Sequence, residues 1–165
     1  MRIKTIKDLY NYLISNSGFS SKTIRSTINS LGYNISGTKQ DFIELSGTLE
    51  DCSKHGADGG FSGFIYYDET KKFYKENRVD IISHMERTAA EFGSDIISMI
   101  KNFGVFRYST KPTSSEIGIA LWDSRQRDEL TNLYNVFAWY ALEEIAHTWH
   151  RYLEDNPSVV ERLIA

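Results

Sequence analysis

The chain has 165 residues, 41% of them hydrophobic and 25% charged, with a formal net charge of −3. That length and composition allow a buried core in one domain, or one domain with a small appendage, and the net charge selects no partner class. One cysteine, Cys52, excludes an intrachain disulfide, and no apolar run approaches the roughly 18 residues that cross a membrane.

The charge is unevenly spread. Residues 1–39 hold six basic side chains against one acid, whereas residues 40–70 hold seven acids against one base. Such polarity suits an electrostatic role, toward nucleic acid at one end or a basic protein surface at the other. Residues 1–10 lack a continuous apolar signal core, which points to the cytoplasm.

Ile6, Leu9, Tyr10 and Leu13 recur at helical spacing and predict a helix over residues 5–15. After the break at Asn16-Ser17-Gly18, Ser20 or Ser21 caps a second helix, with Ile24, Ile28 and Leu31 inward and Gly32 as its stop. Its opposite face carries Lys22, Arg25, Ser26 and Asn29. Two short helices around a glycine turn, the second with a basic polar face, outline a helix-turn-helix. The same pattern describes an ordinary helical hairpin with a solvated outer face, which is the commoner arrangement.

Residues 33–37 read as a connector. Thr38 and Asp41 have the spacing of a capping box, opening a helix whose apolar stripe is Phe42, Leu45, Leu49 and Cys52. Gly47 inside it predicts a kink or a close helix crossing. That helix should end near His55-Gly56, where Gly56, Gly59, Gly60 and Gly63 precede the run Phe64-Ile65-Tyr66-Tyr67. Asp68 can cap a short helix through Phe73 and Tyr74. A separate helix follows over residues 79–92, with Val79, Ile82, Met85, Ala89 and Phe92 inward and Gly93 as its stop.

Ser94 then caps a helix through Ile96, Ile97 and Ile100 to Gly104. Residues 105–112 are irregular, and Ser114-Ser115-Glu116 starts a short helix, or a strand, through Leu121. The last helix, residues 127–154, is the longest. Leu130, Leu133, Phe137, Tyr140, Ala141 and Glu144 mark one face, which Trp139, Leu142, Ile145 and Trp149 widen. A helix apolar over that much of its circumference belongs at the centre of a bundle. The expected fold is mostly α: a multi-helix core domain over residues 37–165 with a long central C-terminal helix and little or no β-structure. A basic helix-turn-helix-like hairpin, residues 1–36, is appended to it.

Four features bear on chemistry. The glycine loop has neither a Gly-Lys-Ser/Thr sequence nor a G-x-G-x-x-G spacing, so a tight structural turn suits it better than a phosphate cradle. Gly60-Phe61-Ser62-Gly63 matches a GXXG spacing but lacks basic residues between the glycines. Asp51/His55, Asp80/His84 and Glu143/His147 are acid–histidine pairs at i,i+4, and His150 shares a face with the last of them. Glu144-x-x-His147 is half of a di-iron motif, but no second copy exists, so the expectation is no metal, no cofactor and no catalytic residue. Cys52, on an apolar stripe three residues before His55, reads as an inert small hydrophobe.

The segment from Leu49 to Arg78, read as LEDC-x-KHGA-x-x-GF-x-GFIYY followed by Asn77-Arg78, resembles small proteins of phages and mobile elements. Phe137-Ala138-Trp139-Tyr140-Ala141-Leu142-Glu143-Glu144-Ile145-Ala146 resembles the same group. In size and in lacking a reaction motif the chain is similar to Cas9-inhibiting anti-CRISPR families. That resemblance carries no catalytic residue. It implies a non-enzymatic inhibitor in the host-cell cytoplasm, binding a Cas9-type effector with its guide RNA. The acidic and aromatic residues Asp51, Asp58, Phe61, Tyr66, Tyr67 and Asp68, with Gly59 and Gly60 between them, would meet the protein partner. Lys22, Arg25, Ser26 and Asn29 would meet nucleic acid. The alternatives are a helix-turn-helix DNA regulator built on those four residues, and a metal-dependent enzyme on Glu143, His147 and His150.

Overall fold

The computed structural model describes residues 2–55, 67–96 and 127–158, with side chains for residues 2–54, 71–96 and 137–158. Among the described residues the fold is mostly α, with five helices and no strand. They are α1 (Ile6–Asn16), α2 (Ser21–Ser30), α3 (Lys39–His55), α4 (Tyr67–Glu91) and α5 (Arg127–Asp155). No described helix is long and apolar enough to cross a membrane.

Local chemistry sets the helix ends. Thr5 and Asp8 form a reciprocal capping box at the start of α1. Thr38 and Asp41 do the same for α3, with the Thr38 N–H donating to the Asp41 carboxylate at 3.0 Å and Asp41 N–H to Thr38 Oγ1 at 3.1 Å. The Ser20 hydroxyl accepts the Thr23 N–H and caps α2. Gly18, Gly32 and Gly93, at φ of 81°, 91° and 69°, turn the chain out of α1, α2 and α4.

The chain forms two compact units. The first unit comprises Met1–Gly63 and Trp139–Ala165; the second is Phe64–Ala138. The N-terminal hairpin therefore shares one unit with α3 and the C-terminal part of α5. The reason is apolar. α1 packs on both α2 and α3, and Ile6, Leu9 and Leu13 are fully buried. Phe19, in the turn after α1, meets Tyr140 of α5 edge-on at 6.3 Å.

Trp149 lies at the centre of the first unit. Its ring stacks on Tyr152 at 5.0 Å and meets Phe42 of α3 at 6.1 Å and Tyr12 of α1 at 6.4 Å. Its indole N–H donates to the buried Ser46 hydroxyl of α3 at 2.9 Å. The whole expected stripe of α3, Phe42, Leu45, Leu49 and Cys52, is buried beside it. Burying each of the larger members is worth roughly 1.5–3 kcal/mol.

Gly47 lies on the opposite side of α3, exposed, and a Cβ there would meet nothing within 4 Å. Of the kink or close crossing expected at this residue, no close crossing occurs among the described residues. Gly47→Ala should therefore raise stability by about 0.5–1 kcal/mol through the restricted unfolded chain, read as a higher urea midpoint with unchanged slope.

In the second unit, α4 runs unbroken for 25 residues where two helices were expected. No proline or glycine interrupts Tyr67–Glu91, and the buried Asn77 carboxamide donates to the Phe73 carbonyl instead of breaking the helix. The inward stripe runs through Phe73, Asn77, Ile81, His84, Met85 and Ala89, with Tyr74 and Ile82 beside it. Val79 and Phe92, expected inward, are 72% and 75% exposed. Val79 lies two residues from Asn77, across the helix from the stripe, and Phe92 falls in the turn beyond the last helical residue. Tyr74 packs on Phe137 within this unit at 5.0 Å.

The glycine loop and residues 64–66 of the aromatic run lie outside the described residues, and Tyr67 opens α4. Also outside them lie the helix expected after Ser94 from residue 97 onward, the helix expected at residues 114–121, and the Leu130 and Leu133 side chains.

Candidate functional site

Each of the four residues singled out on α2 can be placed. Thr23, Ile24, Thr27 and Ile28 turn one face of α2 into the core, with the Thr27 hydroxyl satisfied by the Thr23 carbonyl at 2.9 Å. The helical period then sets Lys22, Arg25 and Asn29 in solvent and Ser26 half-buried at the boundary. Arg2, Lys4, Lys7 and Lys39 are exposed as well, and none of the six cations over residues 2–39 makes a salt bridge among the described residues. The one acid of this segment, Asp8, is held by the α1 cap. The Lys4 backbone N–H, and after it Thr5, keep its carboxyl below the usual carboxylate value.

The Arg25 guanidinium lies over the Tyr10 ring of α1, 5.6 Å from its centroid, a cation–π contact worth about 0.5–1 kcal/mol at an exposed site. Beside it a cleft of about 290 Å3 opens between α2 and the chain after it, lined by Arg25, Asn29, Asn34, Ile35 and Ser36. The far wall is a tight turn. Asn34 Oδ1 accepts both the Ser36 N–H and the Ser36 hydroxyl at 3.2 Å, and the Gly37 N–H donates to the Asn34 carbonyl at 2.8 Å. The turn is clamped from behind, because a Cβ on Gly37 would lie 2.8 Å from Ile6 Cδ1 and 2.9 Å from the Asn34 carbonyl. Gly37→Ala should cost about 1–3 kcal/mol, seen as a lower urea midpoint, because the methyl would press on the Asn34 carbonyl and the turn itself must open to admit it.

Of the acidic and aromatic residues, only Asp51 has a described side chain; it is exposed on α3. Tyr67 and Asp68 lie in the first turn of α4, with side chains outside the described residues, and Asp58, Gly59, Gly60, Phe61 and Tyr66 lie wholly outside them.

Among the described residues Glu50 of α3 pairs with His150 of α5. His150 Nδ1 sits 3.0 Å from Glu50 Oε1 and 3.2 Å from Oε2, and Nε2 meets the Glu154 carboxylate one turn on. His147 is exposed, with Nδ1 3.4 Å from the Ser53 hydroxyl, and Glu143 is half-buried. Among the described residues no three His, Cys, Asp or Glu side chains converge to hold a metal ion. Cys52 is buried, and that burial, reinforced by the charges of Asp51 and Glu143, pushes its thiol up to about 11. Such a thiol stays protonated at neutral pH and is a poor nucleophile.

The Glu50 hydrogen bond raises the His150 value above the ordinary 6.5, against a smaller opposing effect of burial. A group whose native value is raised stabilises the fold below its unfolded value, and that stabilisation is lost as pH rises through the native value. His150→Gln should therefore destabilise by about 0.2–1 kcal/mol near pH 5.5 and by less near pH 8.5, measured by urea denaturation at both.

Sequence reasoning placed the α2 face but missed the Arg25–Tyr10 stack and the cleft. The sole local signal was Asn34-x-Ser36-Gly37, a side-chain-capped turn sequence within what read as a plain connector.

The fold and this site define a mostly helical protein with an exposed basic helix face beside a small polar cleft. Residues 21–155 match the model of a family described as a domain of unknown function, DUF7222, and the chain belongs to that family. The match takes in all of α2 and the cleft wall, and it begins after α1. No curated protein and no solved structure matches the chain.

Proposed function

We propose that this chain is a non-enzymatic binding protein that engages a nucleic-acid-containing complex through the outer face of α2. One observation carries the reading. Lys22, Arg25 and Asn29 all stand in solvent on one helix face, and neither cation is neutralised by a carboxylate among the described residues. Phosphate backbones are held by such faces, with cations giving affinity and amides giving register.

The resemblance to Cas9-inhibiting anti-CRISPR families supports a Cas9-type effector with its guide RNA as the complex. In that reading the acidic segment around Asp51 meets a basic protein surface while α2 meets the guide. A helix-turn-helix regulator is the second reading. It is favoured by the short turn between α1 and α2, with Gly18 at φ 81°.

Size-exclusion co-elution separates the two, using Cas9 alone, Cas9 with guide RNA, and duplex DNA alone. Guide-dependent co-elution with Cas9 is the expected result. Binding to duplex DNA alone would move the function to the regulator, and binding to neither would remove both.

A further inference from the structure

The cleft beside α2 differs chemically from the open helix face. Its polar groups are one guanidinium, two carboxamides and one hydroxyl, with no carboxylate among its described lining. Those groups hold protons available to a ligand. The Arg25 guanidinium is steadied by the Tyr10 ring, which consumes none of its N–H donors, and the Asn29 carboxamide has no hydrogen-bond partner among the described residues.

The Asn34 amide orientation is fixed by chemistry. Its Oδ1 must face the Ser36 N–H, which leaves Nδ2 as a free pair of donors among the described residues. The Ser36 hydroxyl shares Asn34 Oδ1 with that N–H, so it can turn its proton to an incoming oxygen and leave Asn34 satisfied. Three of the carbonyls at the end of α2, those of Thr27, Ile28 and Asn29, already accept backbone N–H groups, which come from Leu31, Gly32 and Tyr33. At about 290 Å3 the cleft is at the small end of ligand pockets, with Ile35 as its apolar wall.

We propose that this cleft receives a phosphate monoester, the terminal phosphate of a nucleotide strand. A monoester presents three terminal oxygens to the four donor-bearing side chains that line the cleft, whereas a backbone diester presents two and must continue out of the cleft on both sides. Ile35 would then cover one side of the terminal sugar. This rests on the reading of α2 as a nucleic-acid face, and it assigns to Asn34, Ile35 and Ser36 a specificity that the open face lacks.

The test compares a short single strand carrying a 5′-phosphate with its 5′-hydroxyl twin by fluorescence anisotropy on the full chain. Amide shifts with adenosine monophosphate and with inorganic phosphate are followed in parallel. The phosphorylated strand should bind about tenfold tighter, consistent with charge-assisted bidentate contact. Asn29→Ala and Ser36→Ala should each narrow that difference.

Equal binding of the two strands, without shifts at residues 29, 34 and 36, overturns the cleft and leaves the α2 face standing. Shifts at those residues with the mononucleotide, without binding of either strand, keep the cleft for a free phosphorylated ligand and remove the α2 reading. No response to any probe overturns both.

Discussion

Replacing Trp149 by alanine is expected to lower the stability of the first unit by about 3–5 kcal/mol, the largest loss from any single residue here. The indole is fully buried and touches three helices' worth of side chains: Tyr12 of α1, Phe42 of α3 and Tyr152 of α5 itself. Truncation opens a cavity between helices that can only partly collapse, and it strands the Ser46 hydroxyl, whose partner is the indole N–H. A whole domain is stable by only about 5–15 kcal/mol, so such a loss leaves a marginal fold.

The hydrogen bond can be weighed separately from the packing. Ser46→Ala keeps the ring and leaves a buried N–H unsatisfied, which should cost about 1–3 kcal/mol. Urea denaturation of both variants reads the two contributions. If Trp149→Ala costs no more than Ser46→Ala, the indole is not the centre of that core.

The second large effect concerns binding. Lys22→Glu combined with Arg25→Glu should weaken binding to guide RNA or to the effector–guide complex at least about tenfold. It should also reduce the salt dependence by about two phosphate contacts. Both side chains are exposed and neither makes a salt bridge among the described residues, so the double reversal should cost no more stability than the Tyr10 stack, about 0.5–1 kcal/mol. Arg25→Glu also gives up the Tyr10 stack, and Arg25→Gln isolates that contribution. Unchanged affinity with an unchanged fold would sink the α2 reading.

Much of this was legible one helix at a time. The capping box of Thr38 and Asp41 depends on three-residue spacing, the stripe Phe42, Leu45, Leu49 and Cys52 on the helical period, and the glycine stops at Gly32 and Gly93 on positive φ. Each is local, and each was placed correctly. The errors in α4 have a local cause too. One helix was expected to end near Tyr74 and another to begin at Val79, but the Asn77 side chain between them is buried and bonds back to its own helix. With the helix continuous, the stripe passes through Phe73 and Asn77, and Val79 falls outside it.

The amino-acid sequence by itself determined the helical class, the caps and stops, and the exposed basic face of α2, because all of these follow from neighbours within about one turn. Only the tertiary structure decided what those helices meet. Glu50 and His150 are 100 residues apart, and Ser46 and Trp149 are 103 apart. No periodicity carries such pairings, since many interhelical registers bury the same stripes equally well. The cleft has the same origin. Its helix wall was visible as a pattern, but its depth comes from a turn at Asn34–Gly37 that is clamped against Ile6 of a different helix.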